Sequence, residues 1–83
     1  MRDVDHKIKC IVLETLKIKE ADYHEDLTAG DLPAWDSLGH VNLLMAVERE
    51  FDVAFEVTDA IDIESVSDLQ EMVKKYLALK PGA

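Results

Sequence analysis

Leu69, Met72, Val73, Tyr76 and Leu77 fall at the i, i+3, i+4, i+7, i+8 spacing of a single helical face. Two more stripes of this kind precede them in a chain of only 83 residues. Val4, Ile8, Ile11, Val12 and Leu16 mark a first helix from about Asp3 to Leu16. Leu43, Leu44, Val47 and Phe51 mark a second, which starts at Asp36 or Ser37 and ends near Phe51. The last begins with Ser67 as its cap, and Ser67 with Gln70 fits a capping box. Lys74 and Lys75 lie towards its end, where positive charge suits the helix dipole. Between the second and last stripes, Thr58-Asp59-Ala60-Ile61-Asp62 has room for one helical turn with Thr58 as cap. The pattern predicts an all-α chain, a four-helix bundle with three longer helices and one short third helix. A single domain over residues 1–83 is expected, with a long first loop at about 19–35 and a frayed end at about 80–83.

That first loop is long for a helix–helix connection. Ile18, Tyr23, Leu27, Leu32 and Trp35 are placed to pin it onto the bundle, and Pro33 disfavours helix at Leu32. Asp36 can then cap the second helix by accepting a backbone N–H from its first turn. Ser37 falls in that turn, at the positive end of the helix dipole, where an attached phosphate is favoured. Packing one face of a bundle helix needs an apolar stripe somewhat over 100° wide, and this helix is apolar around more than half its circumference. The surplus is Leu38, Val41 and Met45, which flank Ser37. Such residues form either an exposed docking strip, for which Met is well suited, or an extra layer closing the core beside the serine. The sequence leaves both open.

Composition narrows the function classes. Eighteen acidic residues against nine basic ones give a formal charge of −9, which disfavours nucleic acid and anionic membranes as partners. No apolar run approaches the roughly 18 residues that would span a bilayer, and Arg2-Asp3-Val4-Asp5 after Met1 does not read as a secretory leader. With one cysteine, Cys10, neither an internal disulfide nor a cysteine metal cluster is available, and a reducing cytoplasm is the natural setting. Cys10 itself reads as a small apolar or half-exposed side chain of the first helix. Asp36, Ser37 and His40 do not make a secure hydrolytic triad, because an exposed helix start supplies no aligned base or oxyanion hole. His40 is therefore expected to face solvent, with a weak contact to a phosphate on Ser37 as the alternative, and His6 and His24 to be surface residues. Asp59, Asp62 and Glu64 lack the spacing and central glycine of a calcium loop, so no metal site is expected. Trp35 reads as a packing anchor for the loop.

Trp35-Asp36-Ser37-Leu38, with the run Gly39-His40-Val41-Asn42-Leu43-Leu44-Met45-Ala46-Val47-Glu48-Arg49-Glu50-Phe51, resembles the acyl carrier proteins. Ile63-Glu64-Ser65-Val66 before the last helix and the length of the first loop are similar to that family as well. The resemblance implies that Ser37 carries a covalent 4′-phosphopantetheine arm, flanked by Asp36 and Leu38, whose thiol holds an acyl or aminoacyl group as a thioester. It implies docking through Leu38, Val41, Met45 and Glu48. The implied partners are a phosphopantetheinyl transferase (holo-ACP synthase) and the acyl-loading and acyl-processing enzymes of a lipid, polyketide or related pathway. The protein would be a cytoplasmic monomer and no enzyme, its chemistry belonging to the cofactor and the partners. A peptidyl or aminoacyl carrier, an unmodified carrier-like scaffold module and, more remotely, a small hydrolase using Ser37 are the alternatives. Fatty-acid carriers usually place acids two and five positions after the serine, where this chain has Gly39 and Asn42, and Arg49 also stands where an acid is usual. Trp35 and Gly39-His40 look more like the discrete, specialised carriers of polyketide, lipid-modification or amino-acid-loading clusters. Restoring both acids, Gly39→Asp with Asn42→Glu, is expected to improve use by fatty-acid enzymes.

Overall fold

Burial of the three long apolar stripes against one another sets the architecture of this computed structural model, which describes residues 2–79. Four α-helices follow in order: α1 (Arg2–Leu16), α2 (Ser37–Phe51), α3 (Val57–Ile61) and α4 (Val66–Leu79). The core takes Val4, Ile8, Val12 and Leu16 from α1, Leu43, Val47 and Phe51 from α2, and Val66, Leu69 and Val73 from α4. Each such side chain contributes about 1.5–3 kcal/mol on leaving water, so the three stripes together hold the bundle. The all-α, four-helix expectation is met, with α3 as the short member.

α1 and α2 stop in the same way. Lys17 and Asp52 both take left-handed backbone, each at φ 54°. The next N–H reaches back five residues, Ile18 to the Leu13 carbonyl at 3.2 Å and Val53 to the Glu48 carbonyl at 3.0 Å. These are the bonds of a Schellman motif, which satisfies carbonyls a helix end would otherwise leave open.

The first loop is pinned as expected. Leu27 and Trp35 are buried, with Ile18, Tyr23 and Leu32 partly buried against the core, and a single 3₁₀ turn covers Glu20–Asp22. A short stitch also ties the loop to the start of α4. The Ala29 N–H donates to the Glu64 carbonyl at 2.8 Å, the Val66 N–H to Leu27 at 3.0 Å, and the Ser67 N–H to Glu25 at 3.1 Å, around an antiparallel bridge between Thr28 and Ser65.

This stitch corrects the expected start of the last helix. α4 begins at the fully buried Val66, and Ser65, not Ser67, caps it. Ser65 Oγ accepts the Asp68 N–H at 3.0 Å, and Asp68 Oδ2 accepts the Glu64 N–H at 3.0 Å. Ser67 Oγ instead donates to the Glu25 carbonyl, and the buried Gln70 donates to Glu25 Oε2. Thr58 is not the cap of α3, which starts one residue earlier at Val57 without a side-chain cap. The Tyr76 hydroxyl takes over, accepting the Glu56 N–H at 2.8 Å and donating to Asp59. Lys74 and Lys75 precede the last turn, because α4 runs on to Leu79, and they pair with Asp5 and Asp59 rather than with the helix end. Cys10 is exposed, its Sγ 3.7 Å from His6 Nε2, since it falls off the core stripe of α1. The expected fraying of residues 80–83 lies outside the described residues.

Candidate functional site

The loop delivers Trp35 into the core at 1% exposure, and the next residue starts α2. Asp36 sits in extended backbone and its Oδ1 accepts the Gly39 N–H at 2.8 Å. Its carbonyl accepts the His40 N–H, also at 2.8 Å. Asp36 is thus the cap expected from the sequence, engaging two N–H groups of the first turn. Ser37 is the first helical residue, and it is exposed. Beside it lies an open depression of about 520 Å³ lined by Ala29, Gly30, Trp35, Asp36, Ser37, His40 and Val41.

His40 is not the solvent-facing residue expected. It is half-buried, and its Nδ1 accepts the Trp35 indole N–H at 3.0 Å. A buried indole N–H needs a partner, and the residue one turn into α2 supplies it. In the loop before α2, Asp31 Oδ2 accepts the Thr28 N–H at 2.9 Å. That backbone bond, with help from the Thr28 hydroxyl, holds the Asp31 carboxyl below the usual carboxylate range.

Gly39 has a role that the sequence reading missed. A Cβ added there would fall far inside the 3.0 Å below which real Cβ contacts are essentially never found, against the Ala34 carbonyl oxygen. The first turn of α2 and the loop before it therefore approach each other as only glycine permits. Glycine inside a helix costs roughly 1 kcal/mol relative to alanine, and that cost was the available signal of a packing reason. The expected double substitution is corrected accordingly: Gly39→Asp collides with Ala34, and only Asn42, which is exposed, can take an acid freely.

The open question about Leu38, Val41 and Met45 is resolved towards the surface. They are 69%, 52% and 52% exposed, while Leu43, Val47 and Phe51 on the other side of α2 are buried. The strip runs from Ser37 into a second groove of about 290 Å³ between α2 and α3, lined by Val41, Leu44, Met45, Glu48, Phe55, Val57, Ala60 and Ile61. Val57 and Ile61 are exposed as well, at its α3 side. Glu48 is half-buried and Oε2 accepts the Phe55 N–H at 2.8 Å, so this carboxylate braces the α2–α3 connection at the far end of the strip. Tyr76 holds α3 from below through Glu56 and Asp59. Donation to Asp59 raises the Tyr76 hydroxyl above its ordinary value. Among the described residues no group of three His, Cys, Asp or Glu side chains is placed to hold a metal ion, and no helix is long and apolar enough to cross a membrane.

Residues 6–73 match the family described as the phosphopantetheine attachment site. The chain is 36% identical over 78 residues to the acyl carrier protein of Buchnera aphidicola subsp. Baizongia pistaciae, covering 93% of this chain and 99% of that one. It is 33% identical over 75 residues to the acyl carrier protein of Buchnera aphidicola subsp. Acyrthosiphon pisum, covering 90% and 94%. Its fold superposes on the solution structure of holo acyl carrier protein from Geobacter metallireducens with a TM-score of 0.80, at 26% identity over 92% of this chain and 87% of that one.

Proposed function

We infer the working parts from kinship: this chain belongs to the acyl carrier protein family, whose members carry acyl groups on covalent phosphopantetheine. Ser37 Oγ is the point of attachment. The observation that carries this reading is the position of Ser37, exposed at the first helical residue of α2, beside an open depression and with its neighbour Asp36 turned back onto the Gly39 N–H. That cap keeps the Asp36 carboxylate occupied and leaves the hydroxyl clear. The unshared positive end of the α2 dipole favours the phosphate that attachment brings.

When bound, the arm supplies a terminal thiol that holds an acyl or aminoacyl group as a thioester. Everything else is done by this chain's surface. Leu38, Val41 and Met45 offer a partner enzyme an apolar strip next to the serine, with Glu48 at its far end. The net charge of −9 favours partner enzymes with basic docking patches. A phosphopantetheinyl transferase moves the arm from coenzyme A to Ser37, and the acyl-loading and acyl-processing enzymes of a lipid, polyketide or related pathway follow. The protein acts as a cytoplasmic monomer, with no catalysis of its own.

Incubation with coenzyme A and a broad-specificity transferase, followed by intact mass measurement, tests the attachment. One phosphopantetheine is expected on the parent and none on Ser37→Ala, whose helical circular dichroism stays that of the parent. Equal labelling of the alanine variant would refute the assignment of Ser37.

A further inference from the structure

We propose that His40 is a positioning residue for the arm, its Nε2–H donating to the phosphodiester on Ser37 because Trp35 commits the other ring nitrogen. The inference rests on Ser37 as the attachment point, and it adds a residue and a tautomer to that reading.

The Trp35 indole N–H donates to His40 Nδ1 at 3.0 Å. The two ring planes lie within 20° of each other with centroids 6.2 Å apart. At that separation, with the nitrogens in hydrogen-bond contact, the rings meet edge to edge in nearly one plane. A neutral imidazole whose Nδ1 accepts must carry its proton on Nε2. The indole is 1% exposed, and Nε2 lies on the edge of the imidazole turned away from it. The donor therefore points away from the core.

What it meets there follows from the helix. Ser37 and His40 are one turn apart on α2, a spacing that puts both on one face, and both line the same depression. A phosphodiester on Ser37 brings a negative charge beside the Asp36 carboxylate. No lysine or arginine is among the lining residues Ala29, Gly30, Trp35, Asp36, Ser37, His40 and Val41. The Trp35 N–H is already given to His40, and the Ser37 hydroxyl is consumed by the ester bond. His40 is then the side-chain N–H donor that the depression has left to offer. Trp35 and His40 act as a relay: the buried indole fixes which nitrogen is protonated, and the imidazole turns that into a directed donor at the base of the arm.

Protein labelled with ¹⁵N-histidine, before and after loading from coenzyme A, tests this. Long-range ¹H–¹⁵N spectra of the apo form are expected to show His40 as the Nε2–H tautomer. Loading, verified by intact mass, should shift the His40 Nε2 resonance. The ³¹P resonance of the holo protein should differ from that of a phosphopantetheinyl-serine peptide. In His40→Ala, once its loading is verified by intact mass, the ³¹P resonance should move towards the peptide value, while His40→Gln, which keeps a donor near the Nε2 position, retains more of the difference. The parent comparison needs no variant, so it stands even if a substitution at His40 unfolds the protein. An Nδ1–H tautomer, an Nε2 resonance unmoved by loading, or equal ³¹P shifts in parent and alanine variant would overturn the proposal while leaving Ser37 in place. A parent whose mass does not change on incubation would remove the attachment reading, and this proposal with it.

Discussion

Replacing Gly39 by alanine isolates the close approach between α2 and the loop that precedes it. The new Cβ would strike the Ala34 carbonyl oxygen and lie 3.3 Å from both the Ala34 carbonyl carbon and Asp36 Oδ1. Ala34 cannot retreat alone. It lies in a turn closed by the Trp35 N–H on the Leu32 carbonyl at 3.0 Å and by the Gly30 N–H on the Trp35 carbonyl at 2.9 Å. Moving it moves Trp35, whose ring is fully packed and hydrogen-bonded to His40. Overpacking of this kind costs about 1–3 kcal/mol. Alanine recovers up to about 1 kcal/mol over glycine through helix propensity. Because the Cβ meets backbone rather than the end of a flexible side chain, the upper part of the steric range applies, about 2–3 kcal/mol, and the net expectation is a loss of about 1–2 kcal/mol. For a domain of this size that lowers Tm by roughly 5–15 °C. Circular dichroism melts and urea titrations measure the loss, and the fluorescence of Trp35, the chain's one tryptophan, reports locally on the turn. Propensity alone predicts the opposite sign. A Gly39→Ala protein more stable than the parent, with unchanged tryptophan emission, would refute the reasoning.

Asn42→Glu alone should raise the rate at which a fatty-acid-pathway ketosynthase or transacylase uses the holo protein, since rim charges act mainly on association. The gain should shrink as the Debye length falls to about 8 Å near physiological salt, and steady-state rates at two ionic strengths check it. Tyr23→Phe should be neutral or stabilising by up to about 1 kcal/mol in urea titration, because the buried Tyr23 hydroxyl has no hydrogen-bond partner. Burial first, then the charges of Glu25 and Asp5, push this hydroxyl up to about 12. The folded state thus favours the neutral phenol: its contribution is complete below the unfolded value of about 10 and is lost as pH rises through about 12. Unfolding midpoints at about pH 8 and about pH 11 should therefore fall less in the Phe variant than in the parent. Leu69→Ala should cost about 2–5 kcal/mol. A domain this small has about 3–5 kcal/mol in hand, so its melt should be largely lost, and a Tm within a degree or two of the parent would contradict the burial of Leu69. Lys17→Gly should stabilise by about 0.5–1 kcal/mol by relieving the left-handed backbone that ends α1, read as a raised urea midpoint.

The helices and the cap were legible because local periodicity and local chemistry decide them. Val4, Ile8, Val12 and Leu16 needed only the spacing of one face, and Asp36 needed only to stand before an apolar run. The features that escaped are set by segments far apart in the chain. Ser67 looked like a cap on spacing, but the Glu25 carbonyl, 42 residues away, takes its hydroxyl. Thr58 looked like the cap of α3, but Tyr76 reaches Glu56 from 20 residues further on. His40 appeared free because nothing in a helical stripe shows that a buried indole behind it needs an acceptor. The exposure of Leu38, Val41 and Met45 was undecidable for a related reason: an apolar face is buried only if another element arrives to cover it, and here α3 leaves an open groove beside them.

The departures from the fatty-acid pattern are coupled by geometry. An acid two positions after the serine requires a Cβ at position 39, and the loop that brings Ala34 against α2 forbids it. The same loop placement sinks Trp35 and presents its N–H to His40. Gly39, Trp35 and His40 therefore form one solution, in which a charge on the rim of α2 is exchanged for a tightly held turn and a directed imidazole beside Ser37. Restoring the acid without rebuilding residues 30–35 would damage the turn as well as change the charge. Any loss of function in such a variant would then have two causes at once. Partner choice is better dissected at Asn42 and Arg49, both exposed on α2 and away from Ala34. There a change of charge leaves the Trp35–His40 pair and the Ser37 depression as they are.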